Sequence, residues 1–174
     1  MQPDLWGPMP GHALLALLLL VTPLALRAQE TDGERIATVT AGIGNTMGWL
    51  GLQGERYFAR ERLSAFLGLG YTPSLDQGDA SGLTFAAGVR GFTTGVKHRG
   101  FLALSVSQLF IENGPSEDRS RLYGPGVEAC YQFASLGGFT AMLGVGVGYA
   151  PGMPDGESAI GSMIEVGLGY TWRR

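Results

Sequence analysis

A chain of 174 residues is enough for one domain and short of a comfortable two. With 45 % hydrophobic residues it is no disordered polymer, yet only 16 % are charged, against roughly 25 % in an average soluble domain. A net charge of −3 without a basic stripe argues against a nucleic-acid partner.

Residues 13–26, ALLALLLLVTPLAL, form an uncharged apolar run of 14, too short for a membrane-crossing helix, which needs about 20 residues. A cleaved secretory signal over 1–28 fits better, cut after Ala28, with Met9 an alternative start. Its removal takes away Asp4 and Arg27 and leaves the net charge unchanged. Cys130 is the single cysteine, so no internal disulfide staples this exported chain.

After a short periplasmic segment, 29–35, the chain divides into stretches of about ten residues separated by turn chemistry, as in a barrel or sandwich. Eight strands are expected, at 36–44, 48–58, 62–71, 82–92, 100–111, 121–134, 138–150 and 162–172. Successive antiparallel strands turn at alternate ends. The odd turns after the first are long and acidic, carrying Asp76 and Asp79, then Glu112, Glu117 and Asp118, then Asp155 and Glu157. The even turns are shorter and basic, with Arg60 and Arg62 in one and Lys97, His98 and Arg99 in another. Short turns at one end and long loops at the other are the habit of bacterial outer-membrane barrels. The first odd turn, near Asn45, is short and departs from that pattern.

Alternate strand residues point to opposite faces. In FTAMLGVGVGYA one face is Phe139, Ala141, Leu143, Val145, Val147 and Tyr149, and the other is Thr140, Met142 and three glycines. The strands containing Leu63, Leu83 and Ile164 sort alike, each setting bulky apolar residues against Gly, Ala, Ser and Thr. A soluble ligand-binding barrel would turn the oily face inward and give the water-facing side many charges. A membrane barrel turns it toward lipid and packs the small residues into a narrow lumen. The few charges on the small-residue face favour the second arrangement. Phe139 and Tyr149 would stand roughly 25 Å apart vertically on tilted strands, the height of the apolar band. Phe58, Tyr71, Phe110, Tyr123, Phe133, Tyr170 and Trp172 are further candidates for the aromatic girdles. In lipid every backbone polar group needs a partner, so the first strand must close on the last. Pro125 is expected at a bulge or an unpaired position.

Over most of 36–172 the chain resembles the small eight-stranded outer-membrane barrels typified by the transmembrane domain of outer-membrane protein A, an all-β, antiparallel up-and-down transmembrane barrel. Such proteins tend to end in an assembly signal: a polar residue, a glycine two on, then aromatic or apolar residues three and five further along. Glu165, Gly167, Tyr170 and Trp172 match it, although Arg173 and Arg174 follow as an extension where the family usually ends on the aromatic. The resemblance implies an outer membrane of the Gram-negative type, periplasmic chaperones and the barrel assembly machinery as transient partners, surrounding membrane lipid, and a monomer.

The inward charges form the most suggestive constellation: Glu55, Arg90, Glu128 and Glu165. Counting along the strands puts Arg90 within reach of Glu55 or Glu128 in the half of the barrel away from the long loops, with Glu165 nearer those loops and hydrated. A buried charge must find a partner, so an ionic plug is the plain reading and a cation-selective leak the sharper one, motivated by the excess of acids. Arg56 follows Glu55 and must face lipid, snorkelling to the interface, unless a bulge near Gly54 shifts the register.

Lipid A deacylases and palmitoyltransferases resemble this chain in size and use a histidine with a serine and an acid near the outer leaflet. The only histidine after the signal is His98, in a basic turn, so no such triad is expected on the outer side. One His and one Cys far apart supply no metal site, and GVGVG inside a strand is no nucleotide loop. No cofactor is expected. Acidic loop residues such as Asp155 and Glu157 would be placed to bridge divalent cations to lipopolysaccharide. The expected function is non-enzymatic, structural or interactive through the outer loops. A small porin-like channel and a soluble periplasmic lipid-binding barrel are the alternatives.

Overall fold

In the computed structural model, residues 33–73, 82–109, 123–150 and 159–174 are described. The proposed signal, Phe110 and the acidic residues of the three long loops lie outside them. Eight strands run β1 (Arg35–Gly44), β2 (Gly48–Phe58), β3 (Leu63–Thr72), β4 (Gly82–Phe92), β5 (His98–Gln108), β6 (Tyr123–Ala134), β7 (Phe139–Ala150) and β8 (Ala159–Arg173). Each pairs antiparallel with its neighbours, and β1 pairs with β8, from Arg35↔Arg173 through Thr40↔Gly169 to Gly44↔Glu165, so the sheet is a closed barrel. Closure removes both sheet edges and with them the unpaired backbone groups that an open sheet would expose.

The period-2 alternation survives as alternating burial. Along β3 every residue from Leu63 to Thr72 switches between exposed and buried, and β7 alternates likewise from Phe139 to Ala150, with Ala141 and Gly146 half-buried. Leu, Val and Ile mostly face out and the small and polar residues face in, together with a buried cluster of Tyr57, Phe66, Phe92, Phe101 and Met142. Leu67, Leu83, Leu102, Val145 and Ile160 are all more than 60 % exposed. The described girdle candidates lie on this outward face at the two borders. At the short-turn end Phe133 packs on Phe139 and Tyr170 meets Trp172 edge-on, at 6.4 and 5.1 Å between centroids. At the other end Phe85 stacks on Tyr123 at 4.6 Å, with Tyr71 and Tyr149 exposed.

Several boundaries differ from the sequence expectation. β5 begins at His98, which places Arg99 in the strand and buries it; Arg35 belongs to β1, and Arg173 ends β8 as the ladder partner of Arg35. A hydrophilic side chain had marked each as turn or tail, but at a barrel mouth the inward position still lies among other side chains. His98 pairs with Phe133 and lies against its ring at 5.2 Å, so it is a strand residue at the rim and not a free turn residue. Pro125 faces Val106 in an unbroken register with β5, while pairing of β6 with β7 begins one residue later, at Gly126. It therefore takes an unpaired position on one side, without a bulge.

The short first turn has a structural reason. Asn45, Thr46 and Met47 fold into the lumen and are at most 2 % exposed. Asn45 donates from Nδ2 to the Gln108 carbonyl at 3.1 Å and accepts from the Ile164 amide at 2.9 Å, so the turn spans the long-loop end of the lumen from β1 to β5 and β8. Its backbone lies where side chains on β3 would otherwise be: a Cβ at Gly68 would meet the Thr46 carbonyl, and one at Gly70 the Met47 carbonyl. Gly48, at φ 69°, lets the chain leave the turn and begin β2.

Candidate functional site

The lumen carries one connected line of polar contacts along its length. It starts at the inturned loop, where Thr46 Oγ1 donates to Glu165 Oε1 at 2.7 Å and Gln53 Nε2 donates to the same oxygen at 3.0 Å. Arg90 Nη2 lies 3.0 and 3.1 Å from the two Glu165 oxygens, and Arg90 Nη1 is 3.3 Å from Glu55 Oε2. Tyr57 donates to Glu55 at 2.9 Å, Ser64 donates to its other oxygen, and Gln132 donates to the Tyr57 hydroxyl at 3.1 Å. Arg99 then links the Gln132 side-chain oxygen, at 3.1 Å, to the Glu61 carboxylate, at 3.2 Å. Glu61 accepts the Arg35 amide at 2.6 Å and faces the Arg35 guanidinium at 3.6 Å. Arg35 finally donates to the Val96 carbonyl in the β4–β5 turn.

Local sequence explains how these groups meet. Arg90 reaches Glu165 and Glu55 because the residues around it are flat or small. Its guanidinium lies over Phe66 at 4.3 Å and Phe101 at 4.8 Å, and its ladder partner on β5 is the small Ala103. Arg99 is stacked in the same manner on Phe92, at 4.2 Å. Glu61 is held by an unusual turn: Ala59, Arg60 and Glu61 all have positive φ, 50°, 55° and 63°. Left-handed backbone costs about 1–2 kcal/mol for each non-glycine residue. Glu61 is tied down in this conformation by the Arg35 amide and by the Arg35 and Arg99 guanidinium groups.

Of the four inward charges expected from sequence, the structure brings three together. Arg90 pairs with Glu55, as expected, and with Glu165, which is 0 % exposed and not hydrated. The inturned loop is the cause, since it covers the end at which Glu165 would have met water. Glu128 is not in the network. Its carboxylate is buried and neither oxygen has a hydrogen-bond partner among the described residues, while its stem lies against Gly146. Arg56 is exposed on the outward face with no bulge at Gly54, which pairs regularly with Val39 and Leu67. Cys130 is buried, inward, and close to Gly144.

Sequence reading missed Gln53, Tyr57, Gln132 and the Arg35–Glu61–Arg99 cluster. Strand parity would have found the first three, because each occupies an inward position. The cluster had no such signal, since it depends on how the turns fold over the mouth. Arg35 and Arg99 narrow the excess of acids that had motivated cation selectivity to one: Glu55, Glu61, Glu128 and Glu165 against Arg35, Arg90 and Arg99.

For the proposed assembly signal, Glu165 faces inward on Arg90, Gly167 leaves room for the Thr40 methyl group, and Tyr170 and Trp172 face outward. His98 is at the short-turn end, its ring sharing a hydrogen bond with the Tyr131 hydroxyl, away from the end where the long loops join the strands. Among the described residues no group of His, Cys, Asp and Glu is arranged to hold a metal ion. A cleft of about 460 Å³ opens at the short-turn end between Glu34, Arg60, Glu61, Val96 and Arg173. Chemically, the connected network is a buried column of three carboxylates and three guanidinium groups suited to holding a barrel rigid, with Glu128 beside it. Comparison with protein-family models, curated proteins and solved structures gives no match for this chain.

Proposed function

We propose that this chain is a non-enzymatic outer-membrane barrel of a Gram-negative-type bacterium, exported by a cleaved N-terminal signal, with a structural or surface-interaction role exercised through its longer loops. The inverted polarity carries the reading: Leu, Val and Ile cover the outside while Arg90, Glu165, Glu128, Gln53 and Gln132 are buried inside. In water, a contiguous apolar surface of this kind would drive association. In lipid it is the favourable face, and the closed sheet leaves no strand edge unpaired. Membership of the outer-membrane protein A-like barrels, with lipopolysaccharide as neighbour and chaperones and assembly machinery as transient partners, belongs to the same proposal. A soluble lipid-binding barrel is disfavoured, since its oily face would line the interior.

Extraction and refolding test this. The chain is expected to require detergent for release and to show the heat-dependent gel mobility of a closed barrel when refolded in detergent. A monodisperse folded chain in plain buffer would remove the membrane reading.

One observation favours a second reading, a small pore: Glu128 is buried in the lumen with no hydrogen-bond partner among the described residues, as a transient ion contact would need. Bilayer conductance that changes in Glu128→Gln and Arg90→Ala would support it. A silent bilayer would dismiss it.

A further inference from the structure

Charge is distributed very unevenly along the barrel axis. Among the described residues, every Lys and Arg lies in the part of the barrel near the short turns, where the acids are Glu34, Glu55 and Glu61. All three acids are already engaged. Glu55 is held by Arg90, Glu61 by Arg35 and Arg99, and Glu34 faces Arg174 at 3.4 Å. Arg56, Arg60, Arg62 and Lys97 are exposed and have no acidic partner among the described residues.

Arg60, Arg62 and Lys97 sit where the apolar belt ends, and Arg56 lies just inside it. Arg56 shares the outward face of β2 with Phe58, two residues nearer the turn, and Phe58 is 44 % exposed. Lys97 precedes His98, whose ring lies against Phe133 and Tyr131. The two turns adjoin: the Phe92 amide at the end of β4 donates to the Arg62 carbonyl at 2.9 Å, and Arg60, Gly95 and Val96 line the same cleft. Arg60, Arg62 and Lys97 therefore form one cationic edge beneath an aromatic collar, and the strained turn fixes the backbone that carries Arg60.

We propose that this edge binds the phosphodiester groups of anionic phospholipids in the leaflet that the short turns face. The inference rests on the membrane reading above and adds the class of lipid. Aromatic side chains mark the headgroup level. A cation just beyond it meets phosphate oxygens at a depth where water screens the charge incompletely, and guanidinium presents paired donors to them. Neutral zwitterionic headgroups would also touch the collar, but their own ammonium groups would compete for the phosphate.

The test reconstitutes the refolded chain in nanodiscs of phosphatidylcholine with and without phosphatidylglycerol and measures by native mass spectrometry which lipid it retains. The unsubstituted chain is expected to retain phosphatidylglycerol in preference, with the preference falling by about fivefold for each cation removed in Arg60→Gln, Arg62→Gln and Lys97→Gln, and shrinking at high salt. These exposed substitutions leave the interior untouched, and heat-dependent gel mobility checks that each variant is folded. Insertion into both bilayers with no lipid preference, or a preference that survives all three substitutions, overturns this inference alone. Displacement of the retained lipid by millimolar inorganic phosphate also overturns it, in favour of a soluble-anion site. A chain that inserts into neither bilayer overturns the membrane reading and this inference together.

Discussion

Arg90 is the residue on which the interior depends, because its one guanidinium balances two carboxylates that have no access to water. Arg90→Ala would leave Glu55 and Glu165 buried with hydroxyl and amide partners only. A loss of about 3–5 kcal/mol is expected, measurable by urea unfolding of the barrel in lipid vesicles. Glu128 should behave oppositely. It has no hydrogen-bond partner among the described residues to give up on becoming an amide, so Glu128→Gln is expected to change stability by less than about 1 kcal/mol in the same assay. A loss as large as that of Arg90→Ala would mean that Glu128 has a partner. The sequence placed all four charges on the inward face because parity along a strand is local. It did not place Glu165 beside Arg90, because that meeting depends on the length of the arginine stem and on the loop that dries the site.

The strands were legible to within about three residues, from Gly48–Phe58 and Gly82–Phe92, which match, to β5, which starts two residues earlier than expected, and β8, which starts three earlier. Turn chemistry and the period of two are both short-range signals. The glycines of β3 were legible as a small face, but their specific reason was not. Gly68 and Gly70 are small because the Thr46–Met47 backbone crosses them, a contact between segments about 20 residues apart in the chain. Gly70→Ala should therefore destabilise the barrel by about 1–3 kcal/mol, since the obstructing atom is backbone and cannot rotate away. Gly54→Ala, whose added methyl group would meet nothing within 4 Å, is the control and should be close to neutral under the same unfolding conditions. Equal effects at the two positions would argue that the inturned loop is not seated on β3.

The barrel as a whole has a dry, crosslinked interior and an apolar exterior, and the proposed lipid environment follows from that arrangement. Single-cysteine substitutions along 139–150, made in a Cys130→Ala background, test it directly. Leu143→Cys, Val145→Cys and Val147→Cys should resist aqueous thiol reagents in the bilayer-reconstituted chain and react with lipid-soluble ones. Uniform labelling along the segment would contradict a lipid-facing odd set. By itself the sequence determined the strands, their alternation and the antiparallel succession of short and long turns, because each is encoded by neighbours within about ten residues. Closure of β1 on β8 joins opposite ends of the chain and was expected only from the need to pair backbone groups in lipid. Tertiary structure alone decided which carboxylates Arg90 holds, that the first turn enters the lumen, and that Arg35, Glu61 and Arg99 gather at one mouth. Those arrangements arise when ring closure brings distant strands within side-chain reach, and no periodicity in the chain records that distance.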